Sequence, residues 1–303
     1  KSSVSDFFYQ ILKLNNTKVA SIGTLGVRSD SINFDLSNTT IDPIQLGKIL
    51  NKLKEKGVDN VIMEASSHGL EQHRLDGLLF NLGIFTNFSQ DHLDYHKNFK
   101  SYIKSKFLLF TKILNVKGTA IINSRLKNYK NLEKKVRSRN IKIITFGSKD
   151  IYFNNENPLH LFVFGKNYRI KKLKLNLIEK ENLECAIACA LAMNISIRKI
   201  INTLHNLKSV PGRFEEINYR KKTSKIIIDY AHTPEAIKSL LKTYSNNKFK
   251  PSIVFGCGGE RDITKRKIMG QIANTYCNKI YLTDDNPRRE RPKKIRNQIK
   301  LKI

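Results

Sequence analysis

Several short stretches of this sequence bring together side chains suited to phosphate, metal or amino-acid chemistry. Lys1-Ser2-Ser3 stands directly before an amphipathic segment. After a glycine-rich loop, such a tripeptide would put a lysine on phosphate oxygens and a hydroxyl on Mg2+; without one it is an ordinary helix start. Glu64 opens the run EASSHGLEQHRLDG at the end of a hydrophobic stretch. A carboxylate there can hold Mg2+ directly or through water, while a solvent-facing loop capped by Ser66 or Ser67 would use the same residues. The density of hydrogen-bonding types at Ser66, His68, Gln72, His73 and Arg74 favours a binding surface. DHLDYH gathers Asp91, His92, Asp94 and His96, a set fit for metal ligation or proton transfer and equally for a capped helix start.

Lys106 stands out by its surroundings. Phe99, Ile103, Lys106, Phe110 and Ile113 follow one another at steps of four, three, four and three, which puts the lysine inside an apolar helical stripe. Burial there would lower its pKa and favour a neutral amine, able to act as a nucleophile or to take up carbon dioxide as a carbamate that accepts Mg2+. The competing reading is a lysine that snorkels to water. Near the end, FGCGGERD (255–262) is a glycine turn that lets backbone approach an anion, a common arrangement after strands. In LTDDNPRRE (282–290), Arg288 can grip a carboxylate in bidentate fashion while Asp285 and Asn286 accept from an ammonium group. That combination suits a zwitterionic amino acid, and Asp and Pro also fit a plain turn.

The elements that must position these groups follow from periodicity. Helices are expected at 5–14, 43–56, 97–114, 181–193 and 196–207. Strands are expected at 18–23, 61–64, 83–88, 118–123 and 142–147, with a further β region over 160–178. Pro211-Gly212 breaks the pattern. Beyond it, strand 225–230, helix 234–245, strand 252–256, helix 265–276 and strand 279–284 alternate as parallel βαβ units do. Glu64, Asn87, Asp229 and Asp285 all fall at the carboxyl ends of expected strands, where open parallel sheets hold their ligands. The expectation is an α/β chain of two domains, 1–208 and 209–303.

Composition narrows the class. The 303 residues carry a formal charge of +29, which invites a nucleic-acid reading. Lysine is spread along the whole chain, however, and only Arg288–Lys302 is locally dense in cations, so solvated helix faces are the better account and no nucleic-acid partner is expected. No apolar run approaches the roughly 20 residues of a membrane span, and no signal-peptide pattern opens the chain; the expected compartment is the cytoplasm. The cysteines at 185, 189, 257 and 277 form no metal-like spacing and read as reduced structural thiols.

Taken in order, KSS, SNTT, EASSHGLEQHR, TNFSQDHLDYH, SYIKSKFLLF, PGRFE, DYAHTPEA, FGCGGERD and DDNPR resemble the Mur ligases, and among them the UDP-N-acetylmuramoyl-tripeptide synthetases, across nearly the whole chain. The resemblance implies a central P-loop-type ATPase domain, with a mostly parallel sheet and helices on both faces, followed by a Rossmann-like ligase domain. An N-terminal UDP-binding domain, the glycine portion of the phosphate loop and a later Gly-Lys-Gly-His-Glu segment of that family have no counterpart here. The expectation is therefore that this polypeptide does not turn over by itself.

By the same resemblance, Lys1 and Ser2 end the phosphate loop. Asn38, Thr39, Thr40, Ser66, Gln72 and Arg74 hold UDP-MurNAc-L-Ala-D-Glu. Ser2, Glu64 and His92 are magnesium ligands, and Lys106 is the carbamylated lysine, with Lys1, Lys106 and His92 as catalytic groups. Asn182, Arg213 and Asp229 contact ATP, while Arg261, Asp285, Asn286 and Arg288 receive meso-diaminopimelate. The implied enzyme is a monomeric, cytoplasmic, ATP- and Mg2+-dependent ligase of peptidoglycan precursor synthesis. A lysine-adding or folylpolyglutamate-type relative is the neighbouring alternative, and a basic nucleic-acid-binding protein the alternative from another class.

Overall fold

The computed structural model describes every residue except 88–92, 155–156, 172, 174, 220–223 and 247–248, together with the side chains of 93, 94, 218, 219 and 224. The chain divides into two compact units: Lys1–Asn87 with Lys104–Glu215, and Phe88–Ile103 with Glu216–Ile303.

In the first unit the helix Ser2–Leu14 buries Val4, Phe7, Phe8, Ile11 and Leu12, the i, i+3, i+4 stripe of an amphipathic helix. The helix Pro43–Glu55 starts at Asp42, whose side chain accepts from the Gln45 amide (2.9 Å), and it buries Leu46, Ile49 and Leu53. Gly57, with φ 69°, follows its end, a left-handed stop that suits glycine. The helix Leu177–Ala192 begins with a reciprocal capping box between Asn176 and Glu179 and is buried without a break from Leu183 to Ala190. Such a helix belongs to the middle of a core, where each large aliphatic side chain contributes about 1.5–3 kcal/mol on leaving water.

Two sheets carry this unit. In one, Asn33–Phe34, Gly26–Arg28, Val19–Gly23 and Asn60–Met63 lie side by side; Val19–Gly23 runs parallel to Asn60–Met63, from Val19↔Asn60 to Ile22↔Met63. In the other the order is Lys166–Arg169, His160–Val163, Ile151–Phe153, Lys142–Phe146, Leu114–Asn123, Phe80–Phe85. Its last four members are parallel and its far edge is an antiparallel hairpin.

In the second unit Ser252–Phe255 and Lys279–Leu282 form a parallel pair, Ser252↔Lys279 to Phe255↔Leu282. The helices Pro234–Tyr244, Thr264–Tyr276 and Pro292–Lys300 bury Ile237, Leu241, Met269, Ala273, Ile295 and Ile299 in one cluster. Ser224–Ile228, expected as a member of the parallel series, pairs instead with Glu215–Tyr219.

Two other departures have local causes. The helix expected over 97–114 is α-helical only over Phe99–Leu108, continues as a π-helix over Leu109–Ile113, and yields to a strand that already starts at Leu114. The helix Tyr129–Arg137 went unanticipated because five of its nine residues are charged; three contacts, Tyr129, Leu132 and Val136, anchor it.

Candidate active site

Because Val19–Gly23 and Asn60–Met63 are parallel neighbours, the residues that follow them emerge at the same sheet edge. Glu64 is buried there. Its carboxylate accepts from the Ser2 hydroxyl (3.2 Å), the Thr24 amide (2.9 Å) and the Thr24 hydroxyl (3.3 Å). Its own carbonyl accepts from Thr40 Oγ1 (2.8 Å), and that hydroxyl accepts from the Ser66 amide (2.9 Å). Gly23 makes room for this packing: a Cβ at that position would lie 2.5 Å from Glu64 Oε1. Ser2 opens the helix Ser2–Leu14 with Lys1 at its N-cap, so the first-turn amides and the positive end of the helix dipole lie beside the carboxylate. Arg213 donates to Ser2 Oγ (3.3 Å). A cavity of about 80 Å³ opens between Lys1, Ser5, Met63, Glu64 and Thr86. Thr24, which joins this cluster through two bonds, escaped the sequence reading because a lone threonine in a turn has no distinguishing pattern.

Of the residues expected to hold the large substrate, Thr40 is the buried pivot. Arg74 donates to the Thr40 carbonyl (2.5 Å) and to Gln72 Oε1 (2.6 Å), and Thr39 shares a hydroxyl contact with Thr24 (3.1 Å). Asn38 is exposed and touches Ser37 Oγ at 3.5 Å. Ser66 accepts from the Gly69 amide (3.0 Å) and so caps the short helix Ser67–Glu71.

Lys106 is half-buried rather than enclosed. Its Nζ donates to the Asn87 carbonyl (3.2 Å) and stands 5.5 Å from the Phe85 ring centroid. Phe110 and Ile113 are buried and Phe99 is exposed, so the expected stripe is only partly realised. The π-helical turn after Leu108 rotates the later residues out of line with the earlier ones. His92 and Asp91 lie outside the described residues. His96 is buried between the rings of Tyr95 and Tyr102, at 4.9 and 5.1 Å. Among the described residues no three His, Cys, Asp or Glu gather as a metal site. The pair Ser2 and Glu64 offers oxygen donors only, which fits a hard dication that takes its other ligands from phosphate and water.

Asn182 sits half-buried in the first half of the helix Leu177–Ala192. Two residues on, Glu184 is fully buried and clasped by Arg125 through its two terminal guanidinium nitrogens, Nη1 and Nη2 (2.8 and 3.2 Å), and by the Phe153 amide (2.8 Å). Burial pushes the Glu184 carboxyl up to about 7, against the pull of Arg125 and that amide. The sequence reading missed this pair because its partners lie 59 positions apart.

In the second unit the Asp229 carboxylate accepts from the Ala231 amide (2.8 Å). Arg261, Asp285, Asn286 and Arg288 are exposed on two turns that follow the parallel strands. Asp285 accepts from the Asn286 amide (2.7 Å), Asn286 from the Arg288 amide (3.1 Å), and Arg288 donates to the Gly259 carbonyl (2.6 Å). Beneath them Arg266 holds Glu290 in a two-bond ion pair that brings the Glu290 carboxyl down to about 2.

Comparison with known families places this geometry. The Mur ligase middle domain matches residues 1–193, and the Mur ligase, glutamate ligase domain matches 212–303. The UDP-N-acetylmuramoyl-L-alanyl-D-glutamate--2,6-diaminopimelate ligase of Rickettsia bellii is 40% identical, covering 99% of this chain and 65% of that protein. The protein of the same name from Leptospira interrogans is 33% identical over 99% of this chain and 62% of its own length. A solved diaminopimelate ligase structure superposes with a TM-score of 0.67 at 30% identity, covering 99% of this chain and 63% of that one. A bifunctional folylpolyglutamate synthase/dihydrofolate synthase, solved with Mn, AMPPNP and L-glutamate, reaches 0.73 at 16% identity, covering 99% of this chain and 76% of that one, a likeness of fold alone. The chain spans about 65% of the length of the Rickettsia bellii relative.

Proposed function

The chain belongs to the Mur ligase family, and on that premise we propose that the whole protein is an ATP-dependent amide ligase joining meso-diaminopimelate to UDP-MurNAc-L-Ala-D-Glu in the cytoplasm. The observation that carries this reading is the convergence of the Ser2 hydroxyl and the Thr24 amide on buried Glu64 at a helix N-terminus. It is the kind of site that binds phosphate oxygens with their counter-ion.

In the reaction the dipeptide carboxylate attacks the γ-phosphorus of ATP and ADP leaves, giving an acyl phosphate. The amine of diaminopimelate then attacks the acyl carbon, loses a proton, and phosphate departs. Mg2+, when bound, neutralises charge on the phosphoryl oxygens. Ser2 and Glu64 would hold it, with His92 and a carbamate on Lys106 as further ligands. Lys1 and the first-turn amides of Ser2–Leu14 orient the phosphates, and Arg213, already bonded to the Ser2 hydroxyl, keeps that hydroxyl aimed. Asn182 and Asp229 take the nucleotide. Thr39, Thr40, Ser66, Gln72 and Arg74, with Asn38 at the rim, take the UDP precursor. Asp285 and Asn286 face the ammonium and Arg288 a carboxylate of the incoming amino acid, with Arg261 beside them. Diaminopimelate carries a second carboxylate, and a cation such as Arg288 gives that group a partner that lysine would not need.

The test is substrate kinetics on the full-length protein. With Arg288→Ala, KM for diaminopimelate should rise at least tenfold while KM for ATP stays within twofold. Equal losses for both would remove Arg288 from the acceptor site. A preference for lysine or glutamate over diaminopimelate in a panel of amino acids would replace the acceptor and keep the ATP chemistry.

A further inference from the structure

Arg266 is fully buried, yet it sits among exposed turns. Its Nη1 donates to Glu290 Oε2 (2.9 Å) and Gln298 Oε1 (2.6 Å), and its Nη2 to Glu290 Oε1 (2.8 Å) and the Gly258 carbonyl (3.0 Å). Glu290 Oε1 also accepts the Glu260 amide (2.6 Å). One guanidinium therefore fastens the turn after Ser252–Phe255 to the turn after Lys279–Leu282. The main chains of those turns interlock: the Gly259 amide donates to the Asn286 carbonyl (2.9 Å). A Cβ at Gly259 would fall 1.9 Å from the Pro287 carbonyl oxygen, and one at Gly256 2.5 Å from that of Thr283. The spacing of the two turns is set to within a methyl group.

A buried ion pair is often no more stabilising than an apolar replacement of the same volume, so stability alone is a weak reason for it. Geometry is a stronger one. The two turns present Arg261 on one side and Asp285, Asn286 and Arg288 on the other, all four exposed. Resting on the ligase reading above, we propose that Arg266, with Glu290 as its partner, is the positioning residue of the acceptor pocket. It sets the distance between the two turns, and so the binding of the amino acid, without touching that amino acid. A planar fork bonded to two carboxylate oxygens, a side-chain amide and a carbonyl has the directional rigidity for this, which a lysine ammonium lacks.

The experiment compares wild type, Arg266→Lys, Arg266→Ala and Glu290→Gln in the full-length protein. Glu290→Gln keeps size and an acceptor for the Glu260 amide, so it covers the case in which Arg266→Ala fails to fold. KM for diaminopimelate is expected to rise tenfold or more in Glu290→Gln and Arg266→Ala, and less in Arg266→Lys, with KM for ATP and for the UDP precursor within twofold of wild type. Hydrogen exchange at the Gly259 and Glu260 amides should quicken at least tenfold while the strand Val19–Gly23 keeps its protection. A matching rise in every KM, or unchanged exchange at those amides, overturns the proposal. If wild type used no diaminopimelate, the acceptor assignment would fall, and the exchange comparison would still decide whether Arg266 holds the turns.

Discussion

A single missing Cβ shapes the cluster around Glu64. Gly23 ends its strand in contact with Glu64, and a methyl group there would meet the carboxylate at 2.5 Å from Oε1 and 2.6 Å from Cγ. Both atoms would have to move, taking with them the bonds from Ser2 and Thr24. Gly23→Ala is expected to lower kcat/KM of the full-length protein at least a hundredfold, about 2.7 kcal/mol of transition-state stabilisation. Circular dichroism should show the fold retained, and near-wild-type turnover would show that the position of Glu64 is not critical. Glu64 was legible in the sequence as a carboxylate after a hydrophobic strand. The glycine 41 positions earlier was not, because its demand comes from a parallel neighbour and not from its own turn.

Among the elements, the helix Leu177–Ala192 carries the clearest conflict between burial and charge. Glu184 lies in its continuously buried stretch, and the carboxyl is raised from 4.5 to about 7 chiefly by loss of water. A folded-state value above the unfolded one contributes stability that is complete below about pH 4.5 and is lost as pH rises through about 7. Glu184→Gln lacks this titration. Urea unfolding at pH 5, 6, 7 and 8 should show the variant gaining on wild type by about 2–3 kcal/mol across that range, near the limit that 1.36 kcal/mol per unit allows. A difference independent of pH would mean that Arg125 keeps the carboxylate ionised throughout. The helix itself was legible over 181–193 from its apolar run, whereas its capped start at Asn176 and Leu177 lies four residues before that expected beginning. The partner strand Ile151–Phe153, whose amide completes the clasp, was not, since three residues carry too short a pattern to read.

For the molecule as a whole the dominant number is the formal charge of +29. Its lysines stand mostly on exposed faces such as that of Pro43–Glu55, so like charges repel through solvent and salt should relieve them. Raising ionic strength from about 0.01 to 0.15 M shortens the screening length from about 30 to about 8 Å. The melting temperature should rise by about 1–2 °C, the shift that ~1 kcal/mol produces at an unfolding entropy of about 2.1 cal/mol/K per residue. A flat or falling response in a thermal melt would show that ion pairs such as Arg266–Glu290, and not repulsion, dominate the balance.

The amino-acid sequence by itself determined the α/β class, most helices and strands and the family resemblance, because periodicity and motif spacing are local properties. Tertiary structure decided what local patterns cannot encode. It left Lys106 half-buried behind a π-helical turn, paired Ser224–Ile228 with Glu215–Tyr219, and joined Arg125 to Glu184 and Arg266 to Glu290. The two ion pairs join residues distant in sequence, the setting of Lys106 follows a helix that changes its pitch, and the strand pairing is a choice of neighbour that periodicity does not make. Hydrogen-bond geometry and the exclusion of water, and not sequence spacing, select such partners.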